Sequence, residues 1–328
     1  MTAKLRWPLL AAMVFGLAAA LWALGREGWH EVLGSALRVG LPGFALLCAI
    51  SGVTFVILGA AWLAAAPGEP ASRLPRFTWA RMAREAANDL LPFSQLGGLV
   101  VGVRTLATAG IAPTRIYAAM IVDLTTEMGA QLIFTLFAIW AFGSAFAEGS
   151  ADPRLLPLLW TGIGIATGLM LLFFVCQRPA LRFAAFLGAR MLPDAGLMAQ
   201  AVNSRLADVY RQPQRVLAAF LLNLAAWGAT AFWAWLGLRL IGAHASLAHA
   251  AALESAIFAL RSAAFLVPGA LGVQEAGYAL LAPLVGIDPA AALALSLLRR
   301  ARDVALGVPT MLIWQAGEMR PATRAPVV

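Results

Sequence analysis

The sequence predicts an all-α polytopic membrane protein with two inverted repeats, each holding three spanning helices and one broken re-entrant helical hairpin. Of its 328 residues, 61% are hydrophobic and only 12% are charged, which places the chain far from soluble domains. The chain also repeats itself, since Thr78–Glu127 and Glu254–Asp303 share their helix breaks. Three pairs of breaking residues are each 176 positions apart: Pro92 and Pro268, Gly110 and Gly286, Pro113 and Pro289.

Six apolar runs are long enough to cross a hydrocarbon core of about 30 Å. These runs are Trp7–Leu24, Val39–Ala65, Tyr117–Phe146, Leu155–Cys176, Val216–Ile241 and Ala290–Trp314. The first run resembles a signal peptide, but it is long and lacks a convincing small-residue cleavage motif, so we expect it to remain as a span.

Residues 86–109 and 252–285 are apolar but contain helix breakers. Pro92, Gly97 and Gly98 interrupt the first segment, and the second is interrupted in the same way by Pro268, Gly269 and Gly272. Each segment is therefore predicted to form two half-helices. Broken helices at membrane depth usually line cavities, because their freed backbone groups need polar partners.

The distribution of basic residues predicts orientation. Three crossings per half is an odd number, so the second half must be inverted, with both termini in the cytoplasm. The predicted cytoplasmic segments hold 15 basic residues: Lys4, Arg6, Arg73, Arg76, Arg81, Arg84, Arg115, Arg178, Arg182, Arg190, Arg205, Arg211, Arg215, Arg320 and Arg324. The opposite loops hold four: Arg26, Arg38, Arg154 and Arg239. This bias fits the positive-inside rule.

The predicted division of the chain follows from these elements. The first repeat occupies residues 1–150, the fourth span residues 151–177 and a cytoplasmic amphipathic segment residues 178–215. The rest of the second repeat occupies residues 216–318, and a cytoplasmic tail covers residues 319–328.

Two polar segments are predicted to lie at the membrane surface. In residues 178–215, apolar residues recur at helical spacing, which predicts a basic amphipathic helix on the cytoplasmic leaflet or a segment that only sets orientation. A second, shorter interfacial helix is predicted over Thr78–Leu90, with Trp79 at the level of the headgroups.

Charges inside the predicted spans are few, and each is costly unless it is paired or hydrated. Asp123 and Glu127 are four residues apart on one helix, and the repeat places Arg299 and Asp303 at the equivalent positions. We expect Asp123 or Glu127 to pair with Arg299 or Arg302. Such a pair is either a structural lock between the halves or a polar site for a lipid headgroup or coupling ion.

Further polar residues lie in the predicted hairpins, where they either satisfy unwound backbone or line a headgroup cavity. The complete set predicted for a lipid or headgroup cavity is Asn88, Gln95, Arg104, Asp123, Glu127, Arg261, Gln274, Glu275, Arg299, Arg302 and Asp303.

Motifs of catalysis are not found in the sequence. The three histidines, His30, His244 and His249, form no H-E-x-x-H pattern, and neither G-x-S-x-G nor a P-loop occurs. We therefore expect no enzymatic activity, no metal and no cofactor. We also expect no nucleic-acid partner. In a membrane protein, a net charge of +8 indicates the orientation of the chain in the membrane before it indicates binding to nucleic acid.

Three motifs resemble a known family. Asn88-Asp89-Leu90-Leu91-Pro92, Val122–Glu127 and above all Phe265–Glu275 resemble the flippase-like membrane proteins related to the transmembrane region of lysylphosphatidylglycerol synthase. Within that family, Pro268–Glu275 with Leu295–Leu297 and Arg299–Asp303 resembles the branch associated with hopanoid biosynthesis. The resemblance departs at Asp89, where a second asparagine is expected.

The resemblance implies a multi-pass protein of the bacterial inner membrane that moves or presents lipids through cavities open to the leaflets. For the hopanoid branch it implies delivery of hopanoids toward the outer leaflet or outer membrane. Its partners are then a hopanoid or phospholipid and proteins of the hopanoid or outer-membrane lipid-transport pathways. Lipid aminoacylation is not expected, since no soluble transferase domain follows Trp314.

Two other functions stay open on the sequence. An ion-coupled secondary transporter of a small solute would share the inverted repeat but would close its aqueous site to lipid. A non-transporting scaffold for lipid-synthesis enzymes would depend on the basic helix and not on the charges of the cavity.

Overall fold

The computed structural model of the chain describes residues 29–90, 94–147, 161, 164, 168, 195–263, 270 and 272–319. Within these residues the secondary structure is helical and contains no strand. The predicted all-α class is therefore confirmed. The inverted relation of the halves, the domain boundaries and the orientation of the termini stay predictions.

Ten α-helices are found in the described ranges. In chain order they are α1 (Trp29–Leu37), α2 (Gly40–Ala64), α3 (Leu74–Leu90), α4 (Ser94–Thr108), α5 (Pro113–Ala147), α6 (Ala195–Tyr210), α7 (Pro213–Ile241), α8 (Leu247–Ala263), α9 (Val273–Leu281) and α10 (Pro289–Met319). Short 3₁₀ helices at Ala71–Arg73 and Ala282–Val285 precede α3 and follow α9.

Three of these helices have the length and hydropathy of membrane spans: Gly40–Ala64, Pro113–Gly143 and Pro213–Ile241. They match three predicted runs to within a few residues. The predicted span 290–314 falls within α10, which carries Arg299, Arg300, Arg302 and Asp303 and so exceeds the charge expected of a lipid-exposed span. The predicted spans 7–24 and 155–176 fall outside the described residues, apart from residues 161, 164 and 168, which are helical.

The two predicted hairpins correspond to two pairs of packed helices. Helices α3 and α4 flank residues 91–93 and contact each other, as do α8 and α9 on either side of residues 264–271. The predicted breaking residues Pro92, Pro268 and Gly269 lie outside the described residues. Gly97 and Gly98 lie inside α4 and do not interrupt it, so this part of the prediction is wrong, whereas Gly272 directly precedes α9. Entry into the membrane and return to the same side therefore stay predictions for both pairs.

Helix α3 is not an interfacial helix, and this part of the prediction is wrong. The helix packs against α2, α4 and α10, and its Arg81 and Arg84 are almost fully buried. Buried arginines need carboxylate partners, and α3 has them on a neighbouring helix. The two arginines therefore face the protein interior and do not mark a cytoplasmic surface.

Helix α6 has the predicted amphipathic pattern. Val202, Leu206 and Val209 are buried, while Arg205 and Asp208 are about half exposed on the other side. The apolar face packs on α5 and joins an apolar cluster that includes Ile116 and Ala119. Packing against α5 therefore accounts for the burial of the apolar face of α6.

Two apolar clusters lie at opposite ends of α5 and α7. One includes Ile116 and Ala219 near the helix starts, and the other includes Phe142 and Trp233 nearer their ends. The segment of each helix between the clusters carries the polar residues. At 1.5 Å per residue, Asp123 lies about 15 Å along α5 from Pro113, a distance equal to half the thickness of a hydrocarbon core of about 30 Å.

Helices α2 and α3 approach closely at Gly59. A Cβ atom on this glycine would lie 2.6 Å from the Thr78 Cα and 2.7 Å from its backbone nitrogen. We expect Gly59→Ala to destabilise the protein by about 1–3 kcal/mol, because backbone cannot yield as a side chain can. Thermal unfolding in detergent measures the change.

Gly52→Ala is the matched control, since it lies on the same helix and a Cβ there meets nothing within 4 Å. Alanine favours a helix interior over glycine by about 1 kcal/mol, so this variant should be neutral or stabilised. Equal melting temperatures for the two variants would contradict the close packing of α2 on α3.

Candidate functional site

A cluster of ion pairs joins α3 to the part of α5 that lies between the two apolar clusters. The Arg81 guanidinium donates to Asp123 Oδ2 at 3.0 Å and to Glu127. Arg84 donates to the same two carboxylates, at 3.2 Å and 3.3 Å. Since Asp123 and Glu127 are four apart on a helix, both carboxylates face the same side and can be bound by the same two guanidinium groups.

Three more groups complete this cluster. The Arg81 Nε lies 2.9 Å from the Glu85 carboxylate. From α7, the Asn223 amide donates to Thr126 Oγ1 at 3.0 Å and to Asp123 Oδ1 at 3.4 Å. Two arginines thus face three carboxylates. Both arginines are needed to offset the negative charge of the cluster.

A second ion pair joins α8 to α10. Arg299 donates a hydrogen bond to the Glu254 carboxylate, which also accepts a hydrogen bond from the Tyr278 hydroxyl. The side chains of Arg299 and Glu254 are only 2% and 3% exposed. The guanidinium lies 5.0 Å from the Trp233 ring centre, so a cation–π contact adds to the charge pair.

The start of α9 holds a third polar group. Glu275 accepts the backbone N–H of Gly272 at 2.7 Å and is paired with Arg300 at 3.2 Å. Gln274 is fully buried and donates to Ser296 Oγ at 2.8 Å. Gly272 has a φ of 78°, a conformation that glycine adopts without strain.

A cavity of about 140 Å³ lies between the first and second ion-pair clusters. Helices from both halves of the chain line it. The lining residues are Thr54, Phe55, Leu58, Arg81, Glu85, Asp89, Glu127, Ala226, Trp227, Thr230, Phe258, Arg261, Arg299 and Arg302. This volume far exceeds the roughly 10–15 Å³ that one water needs, but it is below the roughly 300–1,000 Å³ of pockets that enclose whole ligands.

The charges of the cavity are of both signs. Four arginines and three carboxylates line it. Several keep part of their side chain exposed: Glu127 is 23% and Arg302 is 18% exposed. Asp89 of α3 and Arg261 of α8 form a 3.3 Å ion pair across the cavity between the two helix pairs. The wall therefore offers donors and acceptors together, which suits a zwitterionic or polyhydroxylated group.

Aromatic rings form the apolar part of the wall. Trp227 and Phe258 meet edge to face with ring centres 4.3 Å apart. The Arg261 guanidinium lies 5.5 Å from the Phe258 ring centre, and Arg302 lies 5.1 Å from that of Trp233. These rings hold the guanidinium groups in place without using their hydrogen-bond donors.

The predicted pairing of Asp123 or Glu127 with Arg299 or Arg302 is wrong. The two carboxylates pair with Arg81 and Arg84, while Arg302 pairs with its neighbour Asp303 and with Ser51 at 3.4 Å. Each of these charged groups instead pairs with an oppositely charged group in its own half of the chain. Glu127, Arg299 and Arg302 nevertheless line the same cavity.

The remaining predicted residues have other positions. Asp123 is fully buried behind Glu127, and Asp303 borders a narrow crevice next to the cavity. Asn88 lies on the side of α3 that packs against α4. A Cβ atom on Gly98 of α4 would come within 2.0 Å of the Asn88 Oδ1. Arg104 is 62% exposed and pairs with Glu318. The side chain of Gln95 lies outside the described residues.

Several residues of the site were missed in the sequence. Arg81 and Arg84 were assigned to a cytoplasmic surface, although their spacing with Glu85 placed three charges on one helix face. Asn223, Trp227 and Phe258 carry no motif. One signal was available, because the 176-residue offset that relates Asp123 to Arg299 also relates Glu85 to Arg261, and each pair has opposite charges.

No group of three or more histidine, cysteine or acidic residues lies close enough to hold a metal ion within the part of the chain that the structure describes. In comparison with known families, the model of the lysylphosphatidylglycerol synthase TM region matches residues 9–309. No curated protein and no solved structure matches the chain.

Proposed function

Because the chain belongs to the lysylphosphatidylglycerol synthase transmembrane-region family, we propose that it transports an amphiphilic lipid whose headgroup enters the central cavity. The family membership supports a lipid-related membrane protein. The observation that carries the proposal is the cavity of mixed charge at the middle of the spans, lined by both halves of the chain.

The size and polarity of the cavity support the binding of a headgroup. About 140 Å³ admits a small polar group but not the apolar body of a lipid. Moving a polar group through hydrocarbon without partners is costly. Arg302, Arg261 and Glu127 would replace the water lost by the headgroup, while the apolar body stays in the bilayer.

The proposed movement is alternating exposure of this site. The α3–α4 and α8–α9 pairs act as two gates, one toward each face of the membrane. The Asp89–Arg261 ion pair at 3.3 Å connects the gates across the cavity. A headgroup that displaces this pair would couple its own binding to their opening, because both partners gain new contacts only when it is present.

The lipid we propose is a hopanoid, moved from the bacterial inner membrane toward the outer leaflet or outer membrane. The resemblance of Pro268–Glu275 and Arg299–Asp303 to the hopanoid-associated branch supports this choice. We further propose that the protein makes no covalent change in the lipid, since the sequence contains none of the catalytic motifs sought above.

Mass spectrometry of copurified lipids tests the proposal. Protein purified from a hopanoid-producing host should be enriched in one hopanoid class over the bulk membrane. Glu127→Gln and Arg302→Gln should each reduce that enrichment at least roughly tenfold, because a hydrogen bond to a charged group contributes about 1.5–3 kcal/mol.

Arg239→Gln is the control, since this exposed arginine contacts Trp235 at the end of α7, away from the cavity. It should keep the enrichment. Gel filtration establishes that each variant is folded. A lipid profile equal to that of the bulk membrane in the unmodified protein would contradict the proposal and favour a scaffold or a solute transporter.

A further inference from the structure

A second pocket, of about 400 Å³, lies at the starts of α5 and α7. Its wall comes from the segment after α2, the first turns of α5 and the end of α6. The lining residues are Pro67, Gly68, Arg115, Ala118, Arg205, Asp208, Val209, Arg211 and Gln212. This volume is within the range of pockets that bind small ligands.

Among the described residues, the pocket lies at one end of each of the three helices that have the properties of a span. Helix α2 ends at Ala64, α5 begins at Pro113 and α7 begins at Pro213. The central charged layer is about 15 Å further along α5. The ends of spanning helices lie at the membrane boundary, so we place the pocket at the level of the lipid phosphates.

Positive charge dominates this pocket. Three arginines line it against one carboxylate, Asp208. Asp208 lies 3.9 Å from Arg205, and both side chains are about half exposed, so this pair holds neither group firmly. Arg211 is exposed and forms no ion pair with any residue in the described ranges.

The third arginine, Arg115, shares its partner. Glu69 accepts from Arg115 and also pairs with Arg73 at 2.9 Å. One carboxylate therefore serves two guanidinium groups, and a net positive charge remains. The amino end of α5, whose first turns line the pocket, adds its partial positive charge.

We propose that this pocket binds the phosphate of an anionic lipid headgroup at the membrane surface. The site is separate from the central cavity and does not depend on the transported lipid. Basic pockets between helices at the membrane boundary bind phosphate headgroups through charge and through hydrogen bonds that guanidinium groups donate. Inorganic phosphate shares this chemistry, and the experiment separates the two sources.

The test uses the full chain in a neutral detergent. Dioctanoyl phosphatidylglycerol, dioctanoyl phosphatidylcholine and inorganic phosphate are titrated separately, and apparent affinity is read from the rise in melting temperature. We expect phosphatidylglycerol to bind more tightly than the other two. Arg205→Gln/Arg211→Gln should weaken its binding roughly thirtyfold, since each arginine near an anionic surface contributes about a fivefold factor.

Two further variants keep the proposal open to refutation if the double variant does not fold. Asp208→Asn removes the one carboxylate that the described residues contribute to the pocket wall, and it should tighten phosphatidylglycerol binding a few fold. Arg239→Gln should change nothing. Unchanged affinity in the double variant would overturn the proposal, and so would unchanged affinity in Asp208→Asn if the double variant does not fold. Inorganic phosphate binding as tightly as phosphatidylglycerol would overturn the assignment to a lipid.

Discussion

The Arg81→Met variant should give a much lower yield of folded protein than the unmodified chain. Arg81 is only 1% exposed and lies against Asp123, Glu127 and Glu85. Without it, three carboxylates share Arg84 alone, and Asp123 is left charged in the interior. Removing one partner from a buried ion pair costs about 3–5 kcal/mol, which is a large part of the stability of a typical domain.

The yield of monodisperse protein and its melting temperature in detergent measure this effect. Arg76→Met is the matched control, because Arg76 lies on the same helix, is exposed and, among the described residues, donates only to the Ala109 backbone carbonyl, at 2.9 Å. It should change stability by less than about 1 kcal/mol. Adding Asp123→Asn to Arg81→Met should recover part of the loss, since one unpaired carboxylate is removed. Wild-type stability of Arg81→Met would refute the assigned role of the cluster.

Glu254→Gln should destabilise the other half of the molecule by a similar amount. The substitution keeps the shape of the side chain and its hydrogen bond with Tyr278 but leaves the Arg299 guanidinium without its carboxylate. Both groups are almost fully buried. An unpaired buried charge accounts for about 3–5 kcal/mol of lost stability.

A double variant separates charge from packing. Glu254→Gln/Arg299→Met removes both charges and places a flexible apolar side chain against Trp233 and Phe258, where methionine packs well. We expect it to be more stable than Glu254→Gln alone. Glu318→Gln breaks only a pair with the exposed Arg104, so its effect should stay below about 1 kcal/mol. A double variant that is less stable than Glu254→Gln would contradict the assignment of the lost stability to an unpaired buried charge.

These variants also distinguish a structural lock from a ligand site. Arg81, Asp123, Glu254 and Arg299 are buried, so their loss should lower stability. Glu127 and Arg302 are partly exposed in the cavity, so their neutralisation should change bound lipid at a smaller loss of stability. We therefore expect the two interpretations of the intramembrane charges to apply to different residues.

Much of the helical framework followed from the sequence alone. The runs at 39–65, 117–146 and 216–241 matched α2, α5 and α7, because length and hydropathy are local properties of a segment. The amphipathic pattern of α6 was equally local. The sequence also predicts that Asp123, Glu127 and Arg299 lie within membrane segments, where an unpaired charge is costly.

The partners of those charges were decided by tertiary structure. Arg81 on the short, polar helix α3 has the local pattern of an interfacial residue, and only packing against α2, α4 and α10 turned it toward Asp123. Sequence shows that a buried charge needs a partner but not which of several arginines lies nearest. Distances between side chains on different helices depend on the packing of the whole protein, and Coulomb energy at low dielectric depends strongly on those distances.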